Sequence, residues 1–280
     1  MEYFFPNLYY SSVESPNEKS IRAIVKASIE AFSAGFSGRH IGELNDPEGT
    51  LNMKIHNIFI TLLGREYQYY TALVRSLDSS LGNMLETMAM NIASLNYKVE
   101  QEVAGTITSG QVSKIAEILE AYKRRIKKPE IKDYLDLAKT KVGDTRNARH
   151  DSDYYLVDEN SGSHFLIELK IGGDLDNKKA RSEKEALLEQ YSILSNSLGA
   201  GHDIQLKFAT AYNRYGEEQP WVQERVKQFF ADDELLIGRD FWNFVCKSDD
   251  GYGVVIDEYK NNSSLIKAAL DKIKEAYLGR

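Results

Sequence analysis

Two oppositely charged residues, Glu168 and Lys170, interrupt the apolar run FLIELKI at 165–171. Ionised side chains are costly in such a run unless they have partners or a task. The run reads as a strand, where alternate residues face opposite ways, so both project from one side. YYLV at 154–157 reads as the preceding strand, joined to it through the turn-forming ENSGS at 159–163. A hairpin of that length can bring Asp153, which immediately precedes YYLV, beside Glu168. Two carboxylates and an ammonium would then converge. The acids can hold Mg²⁺, a hard cation suited to oxygen ligands. The metal can activate a bound water and offset charge on a phosphate under attack. Lys170 can orient or help deprotonate that water and stabilise the developing charge. Metal-dependent phosphodiester hydrolysis is the chemistry these residues suit.

Glu-x-Lys triplets also occur at Glu130–Lys132 and Glu258–Lys260. The first lies in a charged segment after Pro129. The second follows a short apolar run, but its upstream acids, Asp249 and Asp250, fall in an expected tight turn. Only Glu168–Lys170 lies in a strongly apolar strand. Asp151 shares strand parity with Asp153 and is the alternative metal ligand. A plain structural ion pair is the competing reading of Glu168 and Lys170; clustered buried acids favour the functional one.

The elements that must position these residues follow from periodicity. Helical spacing of Ile21, Ile24, Val25, Ile29 and Phe32 predicts a helix over 18–36. Another is expected over 51–70, ending before Arg75–Asp78. A third should start near Asp78, capped by Asp78 or Ser79, with Leu81, Leu85, Met88 and Ile92 inward. A strand or ribbon is expected over 97–108 and a helix over 109–128 ending in the basic KRRIKK. A short charged helix should span 130–141. After the hairpin come a helix over 178–198, a buried strand over 204–212, and a helix over 220–230 opened by Pro220. A short strand at 254–256 and a helix over 263–278 complete the order. The fold class is α/β (α+β): a mixed central sheet flanked by helices, with a helix-rich half over 1–145 and a catalytic core over about 146–215. The expectation is a single domain, 1–280.

The Asp, spacer, Glu-x-Lys arrangement is similar to the PD-(D/E)xK nuclease motif, with Ser152 where that motif has proline. The runs RSLDSSLGNMLETMAMNIA, IELKIGGDLDNKKA and GRDFWNF, spread over residues 75–244, resemble the TdeIII-type family of type II restriction endonucleases. The resemblance implies a restriction-endonuclease-like fold and Mg²⁺-dependent homodimers that cut double-stranded DNA at short palindromic sites, of the GC-rich GGNCC kind. It also points to Glu86, on the upstream helix, as a further carboxylate. Gly82, one turn earlier, would permit close approach to the sheet or to DNA. A solvated glutamate is the plain alternative for Glu86.

Residues 121–150 hold ten Lys/Arg against four Asp/Glu, in a chain whose net charge is −7. Phosphate contacts depend on local potential, so the acidic total does not exclude DNA. Candidate DNA contacts are Arg124, Arg125, Lys127 and Lys128 at the basic helix end, and Lys178 and Lys179 after the Glu-x-Lys strand. Arg146 and Arg149 precede the acids, with Asn147 between them; Asn213 and Arg214 follow the later strand. Arg and Asn are the usual readers of guanine and adenine. A solvated helix face, or capping by Asp174 and Asp176 alone, would explain the same charges. Glu189 and Gln190 could support the site from the next helix, and His150 lies near it in sequence.

Cys246 is the only cysteine, which excludes an internal disulfide and a cysteine zinc cluster. No apolar run reaches the ~18 residues of a membrane span, and no secretory signal follows Met1. A cytoplasmic protein is expected. No Gly-rich phosphate loop is present, which argues against a nucleotide-driven enzyme. Two other functions fit the same residues less well: a structure-selective or repair nuclease, and a non-catalytic helical interaction protein.

Overall fold

The apolar run at 165–171 forms the middle strand of a five-stranded mixed sheet whose strands lie side by side in sequence order. The computed structural model describes residues 15–53, 57–172, 175–199 and 201–279, without the side chains of 16, 101 and 151–153. The strands are β1 (Lys98–Thr108), β2 (Thr145–Asp158), β3 (Ser163–Lys170), β4 (Ile204–Thr210) and β5 (Leu235–Ile237). β1, β2 and β3 pair antiparallel, and β3, β4 and β5 pair parallel. The expected turn closes β2 onto β3: Gly162 takes φ 71°, and its N–H donates to the Asp158 carbonyl at 2.7 Å. That left-handed backbone favours glycine.

Helices cover both faces, and each face draws on alternate residues of β3. Leu166 joins Val103, Ile107 and Phe208 under α4 (Ser109–Lys123), α5 (Lys132–Lys139), α6 (Asn177–Leu198) and α7 (Glu224–Lys227). Phe165, Ile167 and Leu169 pack on the other face against α1 (Pro16–Gly42), α3 (Arg65–Ala93), α8 (Arg239–Cys246) and α9 (Gly251–Leu278). Each such fully buried side chain contributes about 1.5–3 kcal/mol over an exposed one. Coverage on both faces is why β3 is so apolar and why its two ions stand out.

Several elements differ from the periodicity reading. The break expected at Arg75–Asp78 is absent. α3 runs unbroken to Ala93, so Asp78 and Ser79 cap nothing. The interruption falls earlier, between the short α2 (Ile58–Thr61) and α3, at Gly64 with φ 99°. The basic segment does not stay helical to Lys128. α4 ends at Lys123 and Arg125 turns to φ 57°, and further on Pro129 keeps Lys128, its predecessor, out of the helical region. The Pro220 helix is only α7, because the preceding stretch carries Trp221 into the core. Val254–Ile256 is not a strand. Gly251, Val254 and Val255 are one inward helical stripe of α9. β5 and α8 had no counterpart in the sequence reading.

Candidate active site

Glu168 and Lys170 occupy the C-terminal end of β3 on the face covered by α6. The Lys170 ammonium donates to Glu168 Oε1, and Glu183 Oε1 of α6 lies 3.3 Å from the same Nζ. The side chains of Glu168, Glu183 and Lys170 are 11%, 25% and 32% exposed, so the cluster is sheltered yet reachable. Lys170 is held between two carboxylates from different elements.

The acid expected from β2 is placed by its backbone. The β2–β3 ladder begins at Tyr154 opposite Ile167, so Asp153 and Glu168 each stand one residue beyond that pair. The side chains of Asp153 and Asp151 lie outside the described residues, as does Asp174. Across from them the β1–β2 ladder is irregular. Glu100 faces Tyr155 and Glu102 faces Asp151, so one residue of β1 spans three of β2. This β-bulge lies at Asp153.

α3 reaches the same strand end from the opposite face. A Cβ on Gly82 would sit 3.4 Å from Ile171 Cγ1, so this glycine admits the sheet. One turn on, Glu86 is half-buried, and its backbone carbonyl accepts from the Tyr154 hydroxyl. Glu86 is therefore tied to the residue that follows Asp153.

Glu183 had not been singled out in the sequence. A signal was available: Glu183, Leu187 and Gln190 repeat at helical spacing, which turns a glutamate inward. Further along α6, Glu189 Oε2 lies 2.8 Å from His150 Nε2 of β2. Gln190 is 4% exposed, and its Oε1 has no hydrogen-bond partner among the described residues.

The basic candidates divide by their partners. Arg124 pairs with Glu120 at 2.7 Å and Lys127 with the buried Asp133, while Arg125 and Lys128 are exposed. Gln228 donates to the carbonyls of Tyr122 and Lys123, which ties α7 to the end of α4. Lys123, Lys178 and Arg181 then line one cleft with Glu120, bringing the two expected basic segments together. Lys178 and Lys179 are exposed, and Asp176 caps α6 by accepting from the Lys179 N–H at 2.8 Å. That interaction, more than the nearby lysine charge, draws the Asp176 carboxyl below its ordinary pKa.

On β2, Arg146 and Asn147 are exposed and Arg149 pairs with Glu102 at 2.8 Å. Asn213 is used inside its loop: its amide donates to the Gln219 carbonyl at 2.7 Å and accepts from the Tyr215 N–H at 3.0 Å. Arg214, next to it, is exposed.

Among the described residues no three carboxylate, imidazole or thiol side chains gather into a complete metal site. The donors at hand, carboxylate oxygens of Glu168 and Glu183, are the kind a hard divalent cation takes. No described helix is long and apolar enough to cross a membrane.

A family model described as type II restriction endonuclease, HinfI, matches residues 17–263. No curated protein and no solved structure matches the chain. The type II restriction endonuclease class read from the sequence runs therefore holds, with HinfI as the matching family.

Proposed function

Because the chain belongs to the HinfI family of type II restriction endonucleases, a class of DNA-cleaving hydrolases that generally use a divalent metal, we propose that it uses Mg²⁺ to cut duplex DNA at a short palindromic sequence. The observation that carries this reading is Glu168 and Lys170, side by side at the reachable end of a strand otherwise sealed on both faces.

Glu168 and Asp153, with Asp151 as the alternative, would hold the cation, and Glu86 is a further carboxylate at the same strand end. When bound, Mg²⁺ supplies a more acidic water and a counter-charge for the phosphate. Lys170 directs its ammonium at the attacked phosphate, where it orients the water and stabilises charge that grows during attack. Glu183 holds Lys170 from the α6 side while Glu168 is engaged by the metal. Arg125, Lys128, Lys178 and Lys179 meet the DNA backbone, and Arg214, Arg146 and Arg149 are the groove-reading candidates.

One chain carries one such site, which most simply cuts one strand. Paired cuts at equivalent positions call for two sites related by a two-fold axis, hence a homodimer and a palindromic target. The test is phage-sized DNA incubated with protein and Mg²⁺, read on a gel and by sequencing the ends. Discrete ends at one palindrome support the proposal. Random ends, or cutting that survives Glu168→Ala, would overturn it. Asp153→Asn should abolish cutting and Asp151→Asn only weaken it; the reverse ranking moves the ligand role to Asp151.

A further inference from the structure

The N-terminal half of α3 is apolar on two sides. One stripe, Tyr69, Ala72 and Leu73, is buried against Phe36 of α1 and Ile273 and Tyr277 of α9. A second, Tyr67, Tyr70 and Val74, follows i, i+3, i+7 spacing along one line of the helix and is exposed. α2 is tied to the same end of α3 by a 2.8 Å hydrogen bond from Gln68 to the Thr61 hydroxyl. α2 and the turn after it add Ile58, Phe59, Leu62 and Leu63, with Phe59 82% and Leu62 78% exposed.

Monomeric proteins rarely expose a contiguous apolar patch of more than a few hundred Å². At roughly 100 Å² of bare surface apiece, these large side chains offer on the order of 700 Å², near the ~800 Å² each partner gives to a stable interface. Among the described residues, the exposed charges on this stretch of α3 are Arg65, Glu66, Arg75 and Asp78, two of each sign. DNA or an anionic membrane would call for an excess of Lys and Arg. A balanced rim suits an isologous contact, where each group meets the same set from the other copy and opposite charges can pair.

We propose that α2 and the N-terminal half of α3 form the two-fold interface that joins two copies of this chain. The proposal rests on the homodimer reading above and assigns it a surface. The interface uses none of the residues assigned to metal, water or DNA, so it can be broken without touching the chemistry.

The test compares the solution mass of the full chain with that of Phe59→Glu/Leu62→Glu, and separately of Val74→Arg, an exposed helical position that should fold normally. The expected result is a wild-type mass near twice 31.8 kDa. Both variants should give a mass near 31.8 kDa with unchanged circular dichroism. Their dimer dissociation constant should rise ~100-fold or more, as for central apolar contacts. Paired double-strand cuts should fall while Mg²⁺-dependent nicking persists. A wild-type dimer that both variants retain would overturn the assigned surface and leave the homodimer standing. A wild-type monomer that still makes paired cuts would overturn both. A monomer that associates only after residues 1–14 are removed would show the chain's own N-terminal segment to be the occupant, and would equally overturn the proposal.

Discussion

Two lysines fourteen positions apart, Lys170 and Lys184, each sit among carboxylates, in opposite settings. Lys170 lies between Glu168 and Glu183 at a strand end, its side chain 32% exposed. Lys184 is fully buried, bonded to Glu234 and the Tyr134 hydroxyl, its ammonium 4.5 Å from the Tyr134 ring centre and 4.8 Å from that of Phe230. Burial pulls the Lys184 ammonium below the ordinary lysine value against the opposing pull of Glu234, and pushes the Tyr134 hydroxyl up. Charge type is the same in both clusters; access is what differs. A sealed pair can only hold α6 to α5 and the segment before β5. An open pair can exchange a partner for a metal or a phosphate.

The sharpest way to break this contrast is to remove each ammonium. Lys170→Ala should lower the cleavage rate by about 10²–10³-fold and leave thermal stability nearly unchanged. Lys184→Ala should do the reverse, since stranding one member of a buried pair costs about 3–5 kcal/mol. The folded fraction at low temperature should still cut. Rates measured on both variants at equal folded concentration decide the matter; a Lys184 variant that is stable but inactive would erase the distinction.

Glu183→Gln should be milder, about a 10-fold loss in single-turnover rate, because Lys170 keeps Glu168. Mg²⁺ affinity by calorimetry should stay within twofold. A large affinity loss would make Glu183 a metal ligand rather than a positioning residue.

Replacing Arg124, Arg125, Lys127 and Lys128 by Ala sharpens the same idea at the surface. Arg124 and Lys127 already have internal carboxylate partners, so only about two phosphate contacts should be lost, each lowering the log–log salt slope by ~0.9. An unchanged slope would leave the segment a solvated face.

The smallest expected effect concerns His164, at the sealed end of β3. Burial first, then the neighbouring His202, hold its pKa below the ordinary 6.5. The folded chain therefore resists a proton that the unfolded chain accepts. The stability present above about pH 6.5 is lost as pH falls below it, by at most about 1.4 kcal/mol per pH unit for one group. Melting temperatures from pH 8 to 5, for wild type and His164→Gln, should show the variant's acid limb to be flatter.

β3 and its two ions were legible because a strand covered on both faces is apolar at nearly every position, so any charge in it stands out. Asp176 and Gly162 were legible through cap and turn chemistry. α3 was misread because Arg75–Asp78 resembles a loop in composition, while Ala72, Leu73 and Ser76–Leu77 continue the helical stripe straight through it. Val254–Ile256 was misread because three branched residues suit a strand until their spacing from Gly251 and Ile266 is considered. Glu183 and Lys184 were hidden in RSEKEA, a string with the look of a solvated face. Helical spacing with Leu187 and Gln190 marks Glu183 as inward, but its partner on β3, and those of Lys184 on α5 and before β5, come only with the fold.

The β1–β2 irregularity bears on how such a gene can change length. Between the matched pairs Glu100–Tyr155 and Glu102–Asp151, β2 carries two residues more than its partner. Loss of one codon there would reverse the facing of every residue on one side of the deletion, putting Tyr154 and its neighbours out of register with their layers. Loss of two codons would keep the facing and give a regular ladder, a sheet that folds as before with the Asp153 position deleted. Insertions and deletions at this point should therefore be tolerated by the fold in pairs, and if Asp153 has the metal-holding role proposed for it, a descendant shortened in that way would keep its architecture while ceasing to cut.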